Sequence, residues 1–577
     1  MLFLYVVHGN DTFAQACRKK GVDVRYLATR REALRLLAIA APLASALCAC
    51  SSTTGKQPKV SIETTATQSD QTSSYIVAVE DEPDTVDFQC TSIHYTVAIN
   101  AFNRLVETEV NGSDVWVAPS LAESWSESSD GRTYTFHLRD GVTFSNGSPL
   151  TSHDVLYTFC RLLTHPDSCN RDIADPILGA DELASGTTDQ LEGFTILSDR
   201  DFSITLKEPF EAFLACLSMP GASILDEQST EEAGTRFGKD PKLTIGTGSF
   251  VLTEWHPGQG MKLAANEDCW EGRPNSDGLD LRFMSDPQEI RNMFEQGALD
   301  ILDLDELDND AEFFLHGDSY HNQLYKTQRI GITYFALNES VAPLDDARVR
   351  RALQLALDRS TLLDAVYNGF GTVEHGLYPH GLYGYNPDLP EIPYDPGQAR
   401  SLLEEAGYAQ GFDLEVSVKS SSTRREMDLV KLAVSMWDKI GVHAYITILS
   451  ESDFMRLRKT GELACYTAMW TADYDDPDTF AYTFFGNREN TTFRSICYAR
   501  DDIMERVRRA RTIVNSTERL REYHELERII AQEDAAWIPL FSRLRVYVTS
   551  KRAKGIQSSW NGSVKTKYRE IAIDDES

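Results

Sequence analysis

Apolar and polar positions alternate with a period of two over Thr133–Leu138. Tyr134, Phe136 and Leu138 interleave with Thr133, Thr135 and His137. That period predicts a half-buried strand. Asp130-Gly131 and Asp140-Gly141 bracket it and Asn146-Gly147 follows. Each dipeptide supplies the positive φ that a tight turn needs. Thr151 and Asp154 have the T-x-x-D spacing of a helix start, and Val155, Phe159 and Leu162 then fall on one helical face. Residues 117–155 therefore predict two hairpins feeding a helix. Phe194 to Lys207 reads as a hairpin turned at Asp199-Arg200-Asp201. Many short strands and turns continue to about Ile332, where the texture changes. Val349, Leu353 and Leu357 share a helical face, and Asp395-Pro396 caps a helix ending at Gly407, with Leu402, Leu403 and Ala406 inward. Phe412 to Val418 alternates as a strand. Arg425 to Ile440 is an amphipathic helix with Leu429, Val430, Ala433, Val434 and Trp437 inward, and Val442 to Leu449 is the next strand. Strand, helix and strand within about 40 residues predict a right-handed parallel crossover. Tyr523 to Asp534 reads as a helix. The chain is expected to be α/β.

A length of 577 residues exceeds what one core usually supports, so two or more lobes are expected. The net charge of −32 argues against nucleic acid and against docking on anionic lipid. Arg30, Arg31 and Arg35 precede an uncharged run from Leu36 to Ala49, too short to span a bilayer but fitting a signal segment. The run ends Leu47-Cys48-Ala49-Cys50, which resembles a lipobox, so residues 1–50 are read as a signal peptide and Cys50 as the lipid-bearing residue. Asp11 and Asp23 make residues 1 to about 24 unlike a normal leader, which suggests a start placed too far upstream. Residues 51–74 are polar and read as a flexible tether. A doubly acylated anchor would hold the protein on the outer face of the cell membrane.

Beyond Cys50 stand Cys90, Cys160, Cys169, Cys216, Cys269, Cys465 and Cys497. An oxidising compartment permits disulfides, with Cys160 and Cys169 the nearest pair, but an odd number leaves at least one thiol out. None has zinc-type spacing. Gly246-x-Gly248 lacks the third glycine of a nucleotide fingerprint, and no G-x-S-x-G, H-E-x-x-H or P-loop occurs, so no enzyme is expected. The twelve histidines are scattered, with His375 and His380 closest together in the second part, so neither a metal nor a cofactor is expected.

Residues Val117 to Val155 closely resemble the signature region of the family 5 extracellular solute-binding proteins, the oligopeptide-, dipeptide- and nickel-binding components of ABC importers. That family reads roughly L-A-x-S-W-x-x-S-x-D-G-x-x-Y-x-F-x-L-R-x-G-V-x-F-x-x-G-x-P-L-T-A-x-D-V, and Ser152 stands where Ala is usual. Further matches are Gly246–Phe250, Trp255-His256-Pro257-Gly258, Asn266 to Trp270, Pro343 to Leu353, Tyr394 to Tyr408 and Trp537-Ile538-Pro539-Leu540. The resemblance spans the mature chain. It implies a two-lobed periplasmic-binding-protein-like fold of class II type, with an extra subdomain in lobe I and a ligand cleft between the lobes. Lobe I would be residues 75–335 plus 541–577, and lobe II residues 336–540.

The stretch Met469 to Phe480 reads by pattern as a strand running into a solvated acidic loop. A calcium loop begun at Asp473 would need Gly where Asp478 stands and Glu where Phe484 stands. The stretch resembles the family's G-W-x-A-D-Y-x-D-P-x-x-F. In peptide-binding members the Asp of that motif accepts the ligand's α-ammonium, which implies that role for Asp473. By the same resemblance Met469 and Thr471 offer backbone groups to the peptide, as in strand addition, and Trp470 is core or pocket wall. Dipeptide binders carry an Arg for the ligand carboxylate at a position that falls on Ser420 here. Lys419 and Arg424, with Arg425, are the nearby cations. This departure favours oligopeptides over strict dipeptides. The expected partners are a peptide and the permease subunits of an ABC importer, with the chain acting as a monomer. A nickel-, haem- or other small-solute-binding member and a non-transporting peptide sensor stay open as alternatives.

Overall fold

The computed structural model describes residues 74–574, apart from residues 80–81, 112–113, 306, 308–310 and 564–566. The signal segment, Cys50 and the tether up to Ser73 lie outside the described residues. The first strand is β1 (Ser74–Val79). A hairpin of β2 (Val106–Asn111) and β3 (Asp114–Pro119) follows. Next come β4 (Ala122–Glu127) and β5 (Thr133–Leu138), joined at the expected Asp130-Gly131 turn, where Gly131 has φ +70°. Helix α1 (Ser152–Thr164) begins as its sequence predicts: the Asp154 carboxylate accepts from the Thr151 backbone N–H and from its hydroxyl, both at 2.8 Å. The Phe194–Lys207 hairpin is β6 (Phe194–Ile196) and β7 (Asp201–Thr205). These strands form an antiparallel sheet in the order β4-β5-β7-β6. Val155, Phe159 and Leu162 of α1 share one buried core with Tyr134, Phe136 and Leu138 of β5.

The chain continues through β8 (Phe250–His256), β9 (Gly260–Ala265), β10 (Gly278–Phe283), β11 (Ile301–Asp303), β12 (Leu324–Gln328) and β13 (Gly331–Leu337). Helix α2 (Ala347–Leu355) carries Val349 and Leu353, and Leu357 is buried just beyond its end. Then come β14 (Gly371–Val373) and α3 (Pro396–Glu405). Asp395 caps α3, accepting from the Gln398 amide at 2.8 Å. Leu403 is buried, whereas Leu402 and Ala406 are half-buried at the rim. The crossover is β15 (Phe412–Lys419), α4 (Arg424–Asp438) and β16 (Val442–Leu449), with the strands parallel and in register from Phe412 opposite Val442 to Lys419 opposite Leu449. Thr423 and Glu426 cap α4 reciprocally. Leu429, Val430, Ala433 and Trp437 are buried, and Met436 takes the inward place expected of Val434, which is half-buried. Strand β17 (Cys465–Thr471) and the long β18 (Trp537–Thr549) complete the set.

Among the described residues twelve strands form one hydrogen-bonded sheet, in the order β16-β15-β17-β13-β18-β11-β1-β10-β9-β8, with β12 and β14 also on β18. Strand β18 joins the two parts of the sheet. Its first residues pair with β13, and Leu544 to Thr549 pair with β12 and β11. The register against β13 shifts between Thr333 and Tyr334, opposite Pro539, which has no N–H to donate. Apolar cores lie on both sides of each part of the sheet. One expectation changes. The helix read over Tyr523–Asp534 is the end of a longer α-helix, Ser516–Glu527, that relaxes into a π-turn at Arg528–Glu533. All seven described cysteines are free thiols, Cys160 and Cys169 included.

Candidate ligand cleft

Strand β17 leads to the site, and only one of its edges is fully used. It pairs with β13 along its whole length, but with β15 only at Cys465 and Tyr466. The Trp470 carbonyl faces β13 so closely that a Cβ on Gly331 would lie 2.6 Å from it, which is why glycine stands there. The Ala472 amide likewise donates to Ile330 O at 2.8 Å. Main-chain groups alternate sides along a strand. Those of Met469 and Thr471 therefore face the other way, onto an edge that no strand of the described residues covers. Trp470 is half-buried, packed edge-on to Phe484 at 5.3 Å against an apolar core. The Met469 sulfur accepts from Arg329 at 2.8 Å and from Arg543 at 3.2 Å.

Asp473 follows the strand and opens into a cavity of about 650 Å³. One wall comes from Asp172, Ile173, Asp175, Pro176, 207–210, Cys216 and Met219, and the other from Asp473, Tyr474 and residues between Tyr482 and Thr512. The Asp473 carboxylate makes no ion pair or hydrogen bond among the described residues, although its amide donates to the Thr479 hydroxyl at 3.2 Å. The side chain is exposed into the cavity, with protein gathered around it that partly desolvates the carboxylate. That desolvation raises its pKa to about 7; Asp172 across the cavity raises it further and Arg494 partly offsets both. An unpaired carboxylate so placed is a receptor for a cation.

The acidic loop after it is not solvated. Asp475 accepts from the Tyr383 amide at 2.7 Å. Asp476 forms a buried two-bond pair with Arg519 at 2.8 and 2.7 Å. Asp478 accepts from Tyr474 and Tyr523, both at 2.9 Å, and pairs with Arg511 at 3.1 Å. Tyr474 itself is packed into the core around α1 and β5. With every other acid of the loop engaged, Asp473 is left facing the cavity.

The model of the bacterial extracellular solute-binding proteins, family 5 Middle, matches residues 117–492. The chain belongs to this family. Among relatives of this solute-binding protein is the heme-binding protein A of Haemophilus influenzae, 29% identical over 79% of this chain and 84% of its own length. The di/tripeptide-binding protein 2 of Pseudomonas aeruginosa is 30% identical over 77% of this chain and 84% of its own. The crystal structure of Haemophilus influenzae OppA complexed with RPPGFSPFR superposes with a TM-score of 0.72 at 21% identity, covering 87% of this chain and 99% of that one. The shared fold is the two-lobed binding-protein fold.

The solute-binding protein does not gather all the residues singled out from its sequence. Of the predicted ligand-binding residues only Asp473 lines the cavity; Met469, Trp470, Thr471, Lys419 and Arg424 do not. Lys419 pairs with Glu451 at 3.5 Å and Arg424 with Asp428 at 3.5 Å, both toward the surface. His375 accepts from the Ile392 amide at 3.0 Å, and His380 lies against Glu374 and Tyr385. Among the described residues no cluster of three or more His, Cys, Asp or Glu is arranged to hold a metal ion. No helix of the described residues is long and apolar enough to cross a membrane. Asp172, Arg494, Arg511 and Arg519 reach the site or its supporting loop from distant segments, and no local sequence signal marks them.

Proposed function

We propose that this protein captures peptides with a free N-terminus in the interlobe cleft and delivers them to the permease of an ABC importer. Asp473 takes the α-ammonium, and the open main-chain groups of Met469 and Thr471 pair with the peptide backbone. The observation that carries this reading is the unpaired Asp473 carboxylate at the end of a strand with a free edge. An extended peptide adds to such an edge through its main chain, so side-chain tolerance follows. Family membership and the peptide-binding names of relatives support the same class of solute. A free edge fits a peptide better than it fits nickel or haem, and no described residue lining the cavity is a histidine. Lobe I is taken as residues 75–335 with 541–577 and lobe II as 336–540, because β18 changes partners near Phe541–Leu544. Cys50 would tether the domain to the membrane, and closure of the lobes would accompany binding.

The test is calorimetry with alanine oligopeptides. Removing one partner of an enclosed ion pair costs roughly 3–5 kcal/mol, so Asp473→Ala should abolish measurable binding. N-acetylated peptides should fail on the wild type. If acetylated and free peptides bind the wild type equally, the ammonium assignment is wrong. Native mass spectrometry of the protein as purified would show the length of any peptide carried. Membrane fractionation of wild type and Cys50→Ala tests the anchor.

A further inference from the structure

Apart from Arg494, the cations lining the Asp473 cavity are matched within the protein. Arg511 meets Asp478 at 3.1 Å, Lys207 meets Asp181 at 2.6 Å, and Arg508 meets Glu505. Arg494 is different. It follows the short helix Arg488–Phe493 and lines the same cavity as Asp473. Its guanidinium lies over the rings of Phe484 at 4.7 Å, Trp470 at 5.3 Å and Phe493 at 5.7 Å. Among the described residues its guanidinium makes one hydrogen bond, from Nη1 to the Asn490 carbonyl at 3.3 Å, and no ion pair. Arg494 and Asp473 feel each other's charge without touching.

The aromatic contacts have a consequence for binding. Rings packed on a guanidinium hold its plane and leave its N–H edge for an acceptor. A fixed guanidinium edge is suited to a carboxylate, which it can grip with two parallel bonds. An arginine kept only to fill an apolar slot would be a poor choice, because its charge is costly to desolvate without a partner. Two unlike charges that line one cavity and do not pair with each other match a solute carrying the opposite pair.

We infer that Arg494 is a second ligand anchor, binding a carboxylate carried close to the ammonium that Asp473 holds. This rests on the reading of the cavity as the peptide site and narrows its solute to compact zwitterions. The carboxylate has two possible sources with one chemistry: the C-terminus of a di- or tripeptide, or the side chain of an acidic first residue. Asp172 lines the same cavity, and its negative charge adds to the field that draws the ammonium.

Calorimetry on wild type, Arg494→Gln and Arg494→Lys separates the possibilities. The probes are Ala-Ala against its C-terminal amide, Ala-Ala-Ala against its amide, and Asp-Ala amide against Asn-Ala amide. Hydrogen bonds to a charged group contribute about 1.5–3 kcal/mol, equivalent to roughly 10- to 150-fold in affinity. The wild type should therefore prefer the carboxylate-bearing member of at least one pair by at least about tenfold, and Arg494→Gln should erase that preference. Loss in the peptide-acid pairs assigns the C-terminus; loss in the Asp/Asn pair assigns the side chain. Arg494→Lys, which keeps the charge without the fork, should retain part of the preference, and it decides the matter if the Gln variant does not fold. Equal wild-type affinity within all three pairs overturns the proposal, as does a preference that survives both substitutions. Failure of the ammonium reading is seen separately, in N-acetylated peptides binding as well as free ones.

Discussion

At the scale of single residues, the site is defined by which charges lack partners. The Asp473 pKa near 7 makes binding sensitive to pH in a definite direction. A carboxyl raised that far is largely neutral at pH 5.5 and largely ionised at pH 8, and only the ionised form attracts an ammonium strongly. Peptide affinity should therefore rise between those values, and binding below pH 7 should release a proton as the ammonium pulls the group's pKa back down. Titration calorimetry in buffers of different ionisation enthalpy reads both effects; a flat affinity and no proton release would remove Asp473 from the contact. The same group costs the empty protein something. Its folded pKa lies above its unfolded value near 3.8, so the folded state binds the proton more tightly, and its contribution to stability falls as pH rises from about 4 to 7. A binding carboxylate without an internal partner is tolerated because the neighbouring acids are tied down.

At the scale of elements, those ties are testable. Arg519 is 1% exposed and Asp476 3%, and the two are joined by two hydrogen bonds. Breaking a buried pair from one side costs roughly 3–5 kcal/mol. Arg519→Ala should lower the denaturation midpoint accordingly and loosen the loop that carries Asp473, whereas an unchanged midpoint would show the pair to be idle. The elements themselves were largely legible in the sequence. The period-two run at 133–138, the helix opened by Thr151 and the crossover at 412–449 all form as their patterns require, because each buries one face by a simple period. The acidic loop was not legible by pattern: Asp475, Asp476 and Asp478 read as solvated, and their partners Tyr383, Arg519, Arg511 and Tyr523 come from remote positions. The cavity was half legible. Asp473 was singled out by a motif, but Arg494 was not, since its aromatic slot joins side chains of β17 and two following helices. Lys419 and Arg424 were chosen for nearness in sequence to a strand end, and in space both turn outward to acidic neighbours.

At the scale of the whole molecule, a ligand bound in the cavity stabilises the folded protein by mass action. At a free peptide concentration one hundred times Kd the gain is about 2.7 kcal/mol. A thermal-shift series with peptides of two to six residues should show an upward shift for those that bind, absent for their N-acetylated forms; no shift for any length would argue for a different solute class. The strand shared by the two parts of the sheet bears on how such proteins diversify. A hinge built only of loops lets each half be treated as a cassette. Here Trp537 to Phe541 and Leu544 to Thr549 complete hydrogen-bonding patterns on opposite sides of the joint. Excising either half would leave an unsatisfied row of amides and carbonyls in the other. Chimaeras that exchange one lobe should therefore be insoluble unless the strand is split with its register intact. New solute preferences are then reached most easily by substitution in the cavity walls, with the joint left alone.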